Sequence, residues 1–266
     1  MKERHPVLTG PVVVELYDRL SFLMWQYGIV PTAHLVIAWE RLGVRDHAKA
    51  SRLLTLFNHE VGKWLKVGAE TGRPKLRVMK RARVASSRHF YIYVHENGRR
   101  QGFHTHELAF IPPEKAAAFR EWAPRCLARL AGQASVDPEA FFVKVDKSSK
   151  EIDRVARCWG WFRYITKGLA EGQLLQLGDG QLVDARAVFK CEPFVLKPPV
   201  RCAQLASGSH NIGTKAQRAA RFRSRFLDDS QLDHLYDGSE LGAYRRTIEA
   251  AELDAGFMTL MNSLDT

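Results

Sequence analysis

Two runs of residues, 88–96 (RHFYIYVHE) and 102–111 (GFHTHELAFI), stand on either side of Asn97-Gly98 and a short basic stretch. Aromatic and β-branched residues fit a pleated surface, and the Asn-Gly pair between the runs predicts an antiparallel hairpin. Residues 34–39 (HLVIAW) read as a short buried strand, and 46–66 shows helical spacing through Ala50, Leu53, Leu54, Phe57, Val61 and Leu65, with Asp46 as N-cap. Pro112 and Pro113 open a helix through about Leu130, residues 140–145 (AFFVKV) resume strand character, and a long helix is expected over 149–169.

The order strand, helix, hairpin, helix, strand, helix predicts an α+β fold, a central antiparallel sheet flanked by helices. Residues 11–28 read as an amphipathic helix begun by Pro11, so 1–30 is expected to be an N-terminal helical extension to a catalytic domain over 31–172. Short strand-like pieces around Gly178-Asp179-Gly180 and a Pro-rich boundary at 197–200 make 173–200 a strand-rich extension and linker. A basic helix over 214–227 (TKAQRAARFRSRFL) and an acidic helical tail are expected to form a C-terminal helical appendage, 201–266.

Charge narrows the function. Lys and Arg number 40 against 29 Asp and Glu, a net +11. Residues 228–266 hold nine acidic and two basic residues, leaving 38 basic and 20 acidic in 1–227, so a body of +18 carries a tail of −7. That asymmetry points to a polyanionic partner for the body. The four cysteines form no CxxC pair, and the start MKERHPVLTG lacks an apolar signal core. No apolar stretch approaches the roughly 20 residues that span a bilayer. Reduced thiols, a cytoplasmic location and no membrane partner are therefore expected.

His104 and His106 are two apart on a predicted strand, so both imidazoles project from one face and can share a cation. Glu96 ends the preceding strand, where the hairpin can fold its carboxylate back toward them as a third ligand. Two nitrogens and one oxygen leave positions open for water and phosphate, which suits Mg²⁺ or Mn²⁺, although zinc binds such a set as well. His95 points to the opposite face by alternation.

Tyr164 and Lys167 lie three apart on the long helix, which places phenol and ammonium on adjacent turns. At 100° per residue Asp153, Arg157, Gly160, Tyr164 and Lys167 form a polar stripe, while Ile152, Val155, Trp159 and Phe162 form an apolar one. The phenol should therefore face out of the core, with Gly160 leaving access one turn before it. A phenol is a poor nucleophile at neutral pH and needs a polarised electrophile and a positive charge nearby, which Lys167 can supply.

Residues 73–88 hold seven basic and no acidic residues, and 201–227 hold six basic and none acidic. Arg77, Lys80, Arg81 and Arg83 from the first, Arg218 and Arg221 from the second, and Arg157 from the helix are candidate phosphate contacts. Trp39, Trp159 and Trp161 are either core residues or stacking platforms for unpaired bases. Residues 208–215 (GSHNIGTK) are not a Walker A loop, because Thr214 separates the second glycine from the lysine.

The segments GFHTHELAFIP and WFRYITKGL closely resemble the second and third motifs of HUH endonucleases, and the resemblance spans about residues 34–169. It implies that His104 and His106 hold a divalent metal with Glu96, that Tyr164 is the nucleophile and that Lys167 assists it. The implied reaction is attack on single-stranded DNA, leaving a 5′-phosphotyrosine and a free 3′-hydroxyl that can later be rejoined. One tyrosine on the helix fits a plasmid or phage replication initiator, acting on single-stranded DNA or an origin hairpin with a separate helicase and host polymerase. Thr105 departs from the family pattern, in which the residue between the histidines is usually bulky and apolar. A mobilisation relaxase or transposase of the same chemistry is the nearest rival, and a non-catalytic basic DNA-binding protein is a rival of another class.

Overall fold

The computed structural model of the 266-residue chain describes residues 7–67, 88–98, 101–135, 137–191, 199–227 and 229–264, with backbone alone for 229–231 and 254–264. Helix α1 (Gly10–Tyr27) has Pro11 in its first turn, where the missing N–H is not needed, and ends at Gly28 in the left-handed conformation, φ 64°. Strand β1 (Ala33–Ala38) follows, then helix α2 (His47–Lys66), whose N-cap Asp46 accepts a hydrogen bond from the Ala48 amide. Strands β2 (Tyr91–Gly98) and β3 (Gly102–Ala109) form the hairpin, with Asn97 and Gly98 inside β2 rather than in the turn. Helix α3 (Ala116–Ala131), strand β4 (Phe141–Val145) and helix α4 (Glu151–Ile165) complete the predicted order.

The fold is α+β, and its sheet has five strands in the order β4-β1-β3-β2 followed by the edge strand β7 (Ala206–Gly208), each antiparallel to its neighbour, with β3 at the centre. Sequence reading did not foresee β7. Alternation splits the central strands between two cores. Leu35, Ile37, Phe103 and Ala109 pack with Phe57, Val61, Phe119 and Leu127 of α2 and α3. Ile92, Val94 and Leu108 pack on the other face with Leu16, Tyr17 and Leu20 of α1 and with Trp159 and Phe162 of α4. The helix read as an N-terminal extension thus shares a core with the sheet; its Tyr17 ring stacks on Trp159 at 4.8 Å.

The remaining elements are a small hairpin, β5 (Leu174–Gln176) with β6 (Leu182–Asp184), the short helices α5 (Ala185–Val188) and α6 (Thr214–Ala219), and helix α7 (Ser239–Leu264). Several sequence expectations are corrected. The basic helix expected over 214–227 stops at Ala219, because Arg221 takes φ 58° and turns the chain away. Helix α4 ends at Ile165 rather than near 169, because after Thr166 the amides of Lys167 and Leu169 reach back three residues, to the Tyr164 and Thr166 carbonyls, instead of four. Ile152, assigned to the apolar stripe, is 64% exposed because the first turn of α4 projects past the sheet-facing residues Val155, Trp159 and Phe162. Trp39, Trp159 and Trp161 are all buried, so none is a platform for unpaired bases. The four cysteines are free thiols, and among the described residues no helix is long and apolar enough to cross a membrane.

Candidate metal centre

The hairpin register places Glu96 directly opposite His104, with His106 two residues further along the same face of β3. Period-two geometry therefore aims all three side chains at one spot, and they are buried there. One donor atom from each lies within 4.8 Å of the others. His104 Nε2 is 3.2 Å from His106 Nε2, and Glu96 Oε2 is 3.9 Å and 3.5 Å from those two nitrogens. Ligands about 2.0–2.2 Å from a common ion stand roughly 3.0–3.5 Å apart, so the cluster has nearly the spacing of one face of a coordination sphere.

The outer nitrogens of both imidazoles are engaged. His104 Nδ1 donates to the Gly102 carbonyl at 2.9 Å, which leaves Nε2 as a bare lone pair toward the cluster. His106 Nδ1 lies 3.2 Å from Nε2 of His34 on β1, a strand that pairs Val36 with His106. With that Nδ1 as donor, His106 Nε2 is a lone pair as well. Two lone pairs and a carboxylate oxygen then face one another in a desolvated space, an arrangement that repels itself unless a cation or proton stands between them. Burial pushes the pKa of His104 and His106 down, that of His106 well below the usual range, and burial takes His34 to about 3. All three imidazoles are thus neutral near pH 7, the state in which nitrogen binds metal. The cluster can hold a divalent cation.

Tyr164 comes to the cluster from α4, half exposed as its polar stripe required. Its ring meets the His106 ring edge-on at 5.2 Å and that of His34 at 5.8 Å. Lys167 lies in the turn after the helix rather than on it. From there its ammonium is 3.6 Å from the centroid of the Tyr164 ring and 3.1 Å from Glu96 Oε2, so it bridges the acidic member of the cluster and the phenol. A Cβ on Gly160 would meet nothing within 4 Å, so that flank of α4 is open.

The opposite face of β3 fixes the strand from below. Thr105, between the two histidines, accepts a hydrogen bond from Trp39 Nε1 at 2.7 Å and contacts His95 Nδ1 at 2.7 Å, and His95 Nε2 reaches Ser51 Oγ at 3.1 Å. His95 does point away from the metal face, as alternation required. Further along, the fully buried Glu107 accepts from Asn58 Nδ2 at 3.0 Å, and Asn58 Oδ1 is 2.9 Å from His89 Nε2. At the hairpin end, Gly102 at φ 62° leaves room for the Glu40 carboxylate, which accepts from the Phe103 amide at 3.0 Å.

Among the described residues, the candidate phosphate contacts fall on different elements. Arg157 is held by Asp146, Nε to Oδ1 3.0 Å. Arg218 closes α6, and Arg221 follows it beside the end of α1. Arg77, Lys80, Arg81 and Arg83 lie outside the described residues. His34 is the participant that sequence reading passed over; the available signal was a histidine inside an otherwise apolar strand, which burial obliges to find a polar partner.

No protein-family model, curated protein or solved structure matches the chain.

Proposed function

We propose that the chain is an HUH-type single-strand DNA endonuclease and strand transferase, with Tyr164 as nucleophile and Glu96, His104 and His106 as metal ligands. The observation that carries this reading is the meeting of three elements at one point. Glu96, His104 and His106 of the hairpin, the Tyr164 ring 5.2 Å from His106, and the Lys167 ammonium 3.1 Å from Glu96 and 3.6 Å from the Tyr164 ring bring metal-ligating atoms, a phenol and a positive charge together.

Glu96, His104 and His106 would hold a divalent ion, which would supply positive charge to polarise a scissile phosphate. The protein's residues do the rest. His34 and the Gly102 carbonyl keep the two imidazoles turned so that Nε2 faces inward. The Lys167 ammonium places positive charge beside the ring whose oxygen attacks. As the phenol oxygen forms its bond to phosphorus, the phenolic proton passes to solvent. The bond from phosphorus to the 3′-oxygen breaks, and that oxygen leaves as a hydroxyl after taking a proton. Phosphorus stays on the 5′ side as a phosphotyrosine, and the reverse attack by a 3′-hydroxyl reseals a strand. The overall charge of +11 fits a polyanionic substrate. A single tyrosine on the helix favours a single-tyrosine replication initiator acting on origin DNA over two-tyrosine schemes; a mobilisation relaxase or transposase shares the same chemistry and is told apart by its target sequence.

The test is a denaturing gel of the chain incubated with end-labelled, origin-like single-stranded DNA and Mn²⁺. A denaturant-resistant protein–DNA adduct is expected, lost on adding EDTA and lost in Tyr164→Phe. An adduct that persists in Tyr164→Phe refutes the assignment of the nucleophile; no adduct with any single strand refutes the reaction and leaves a basic DNA-binding protein.

A further inference from the structure

A second surface, built from other elements, has chemistry of its own. The C-terminal end of α1, helix α6 and helix α7 enclose an open cleft of about 570 Å³ walled by Trp25, Tyr27, Tyr244 and Arg221. A neighbouring cleft of about 430 Å³ is lined by the same Trp25 and Arg221 together with Arg223, Arg225, Arg246 and Glu240. Trp25 is thus the wall between the two. Its ring leans on Phe222 at 5.7 Å and on Phe22 at 6.1 Å, which fixes its plane while leaving it partly exposed.

The charges are one-sided. Glu240, the one carboxylate among the described lining residues, is buried and matched by Arg225 at 2.8 Å. Among the described residues, Arg221, Arg223 and Arg246 are exposed and have no acidic partner. Arg221 also holds a left-handed backbone, φ 58°, at the C-terminal turn of α6, where the Phe222 amide bonds back to the Gln217 carbonyl. Glycine is the unstrained residue for that turn, and strain held by a side-chain-bearing residue tends to accompany a function for the side chain. The turn directs Arg221 into both clefts and seats Phe222 under Trp25.

We propose that these paired clefts are a second binding groove for single-stranded DNA, in which Trp25 stacks on an unpaired base and Arg221, Arg223 and Arg246 hold the adjoining phosphates. Flat aromatic surface set among uncommitted guanidinium groups suits a nucleobase flanked by anions, and a paired base cannot offer its face to it. The choice of DNA as occupant rests on the strand-transfer reading above. The groove would hold a strand away from the tyrosine, so that a cut end or the uncut flank stays with the protein.

The experiment measures fluorescence anisotropy of a labelled oligothymidylate of about twelve nucleotides with the Tyr164→Phe chain in EDTA, so that binding is read without metal or cleavage. Adding Trp25→Ala should weaken binding roughly 10-fold. Adding Arg221→Gly should also weaken it and lower the slope of log affinity against log salt by about 0.7. Because glycine relieves the left-handed turn, that variant should melt at or above the temperature of its parent, so its lost affinity cannot come from unfolding. Duplex DNA of the same length should compete poorly. Unchanged affinity in Arg221→Gly and in Arg223→Ser/Arg246→Ser overturns the proposal, as does a polyglutamate peptide that competes as well as the oligothymidylate. Failure of the strand-transfer reading would show separately, as a missing adduct with Mn²⁺ in the unmutated chain.

Discussion

Lys167 Nζ lies 3.1 Å from Glu96 Oε2 while the same ammonium covers the Tyr164 ring at 3.6 Å. One charge therefore touches both the candidate ligand set and the proposed nucleophile, and the two contacts have opposite consequences on removal. Lys167→Ala should free the carboxylate for metal and tighten Mn²⁺ binding about 3- to 10-fold. The same change should slow adduct formation roughly 100-fold, because the charge beside the reacting oxygen is gone. Titration calorimetry and single-turnover gels read the two effects separately; an unchanged adduct rate removes Lys167 from the chemistry.

His34 acts through His106, to whose Nδ1 it presents Nε2 at 3.2 Å. Partners that orient a metal-ligating histidine are worth about 10- to 100-fold in metal affinity. His34→Ala should weaken Mn²⁺ binding by that factor, and His34→Asn, which restores an acceptor, should recover part of it. Equal affinity in all three chains, measured by calorimetry, would show that β1 contributes packing alone.

Thr105 satisfies the buried indole of Trp39 and the ring of His95 from a position with no exposed surface. Thr105→Val keeps the shape and takes the partner from Trp39 Nε1 and His95 Nδ1, so unfolding in urea should show a loss of about 1–3 kcal/mol. Thr105→Ser should lose less than half of that. A neutral valine variant would mean that the two rings find other partners.

Asp18 supplies a pH dependence far from the metal ligands. Burial raises its pKa from 3.8 to about 7, against a hydrogen bond from Ser224 Oγ at 2.8 Å that favours the charged form. Between those two values the folded chain binds more protons than the unfolded one, so stability falls as pH rises. The slope from this group is at most about 1.4 kcal/mol per pH unit. Asp18→Asn keeps the Ser224 contact and should flatten the decline, melting higher than the parent at pH 8 and nearly with it at pH 4. Parallel curves for the two chains across that range would show that Asp18 ionises freely.

Much of the site was legible before any coordinates, because its geometry is short-range. Strand alternation is enough to place His104 and His106 on one face and His95 and Thr105 on the other. A hairpin needs no information beyond its own strands to bring Glu96 opposite His104. Helical periodicity turned Tyr164 outward, but it carried Lys167 onto the helix, where it is not. The chain tightens after Thr166, where the Lys167 amide reaches the Tyr164 carbonyl three residues back, and that turn brings the lysine to Glu96.

The chain's own pattern determined the α+β order, the hairpin and the residue types that can bind metal, since each depends on neighbours a few positions away; the register, which carries Asn97 and Gly98 into β2, was not in that pattern. Only tertiary structure decided that His34 would meet His106 across 72 residues of chain and that Ala206–Gly208 would become the fifth strand. It also decided that α1 would share a core with α4, and that Arg221 would break a basic helix to sit beside Trp25. Those outcomes depend on which buried surfaces close against each other, a competition among distant segments that no local period records.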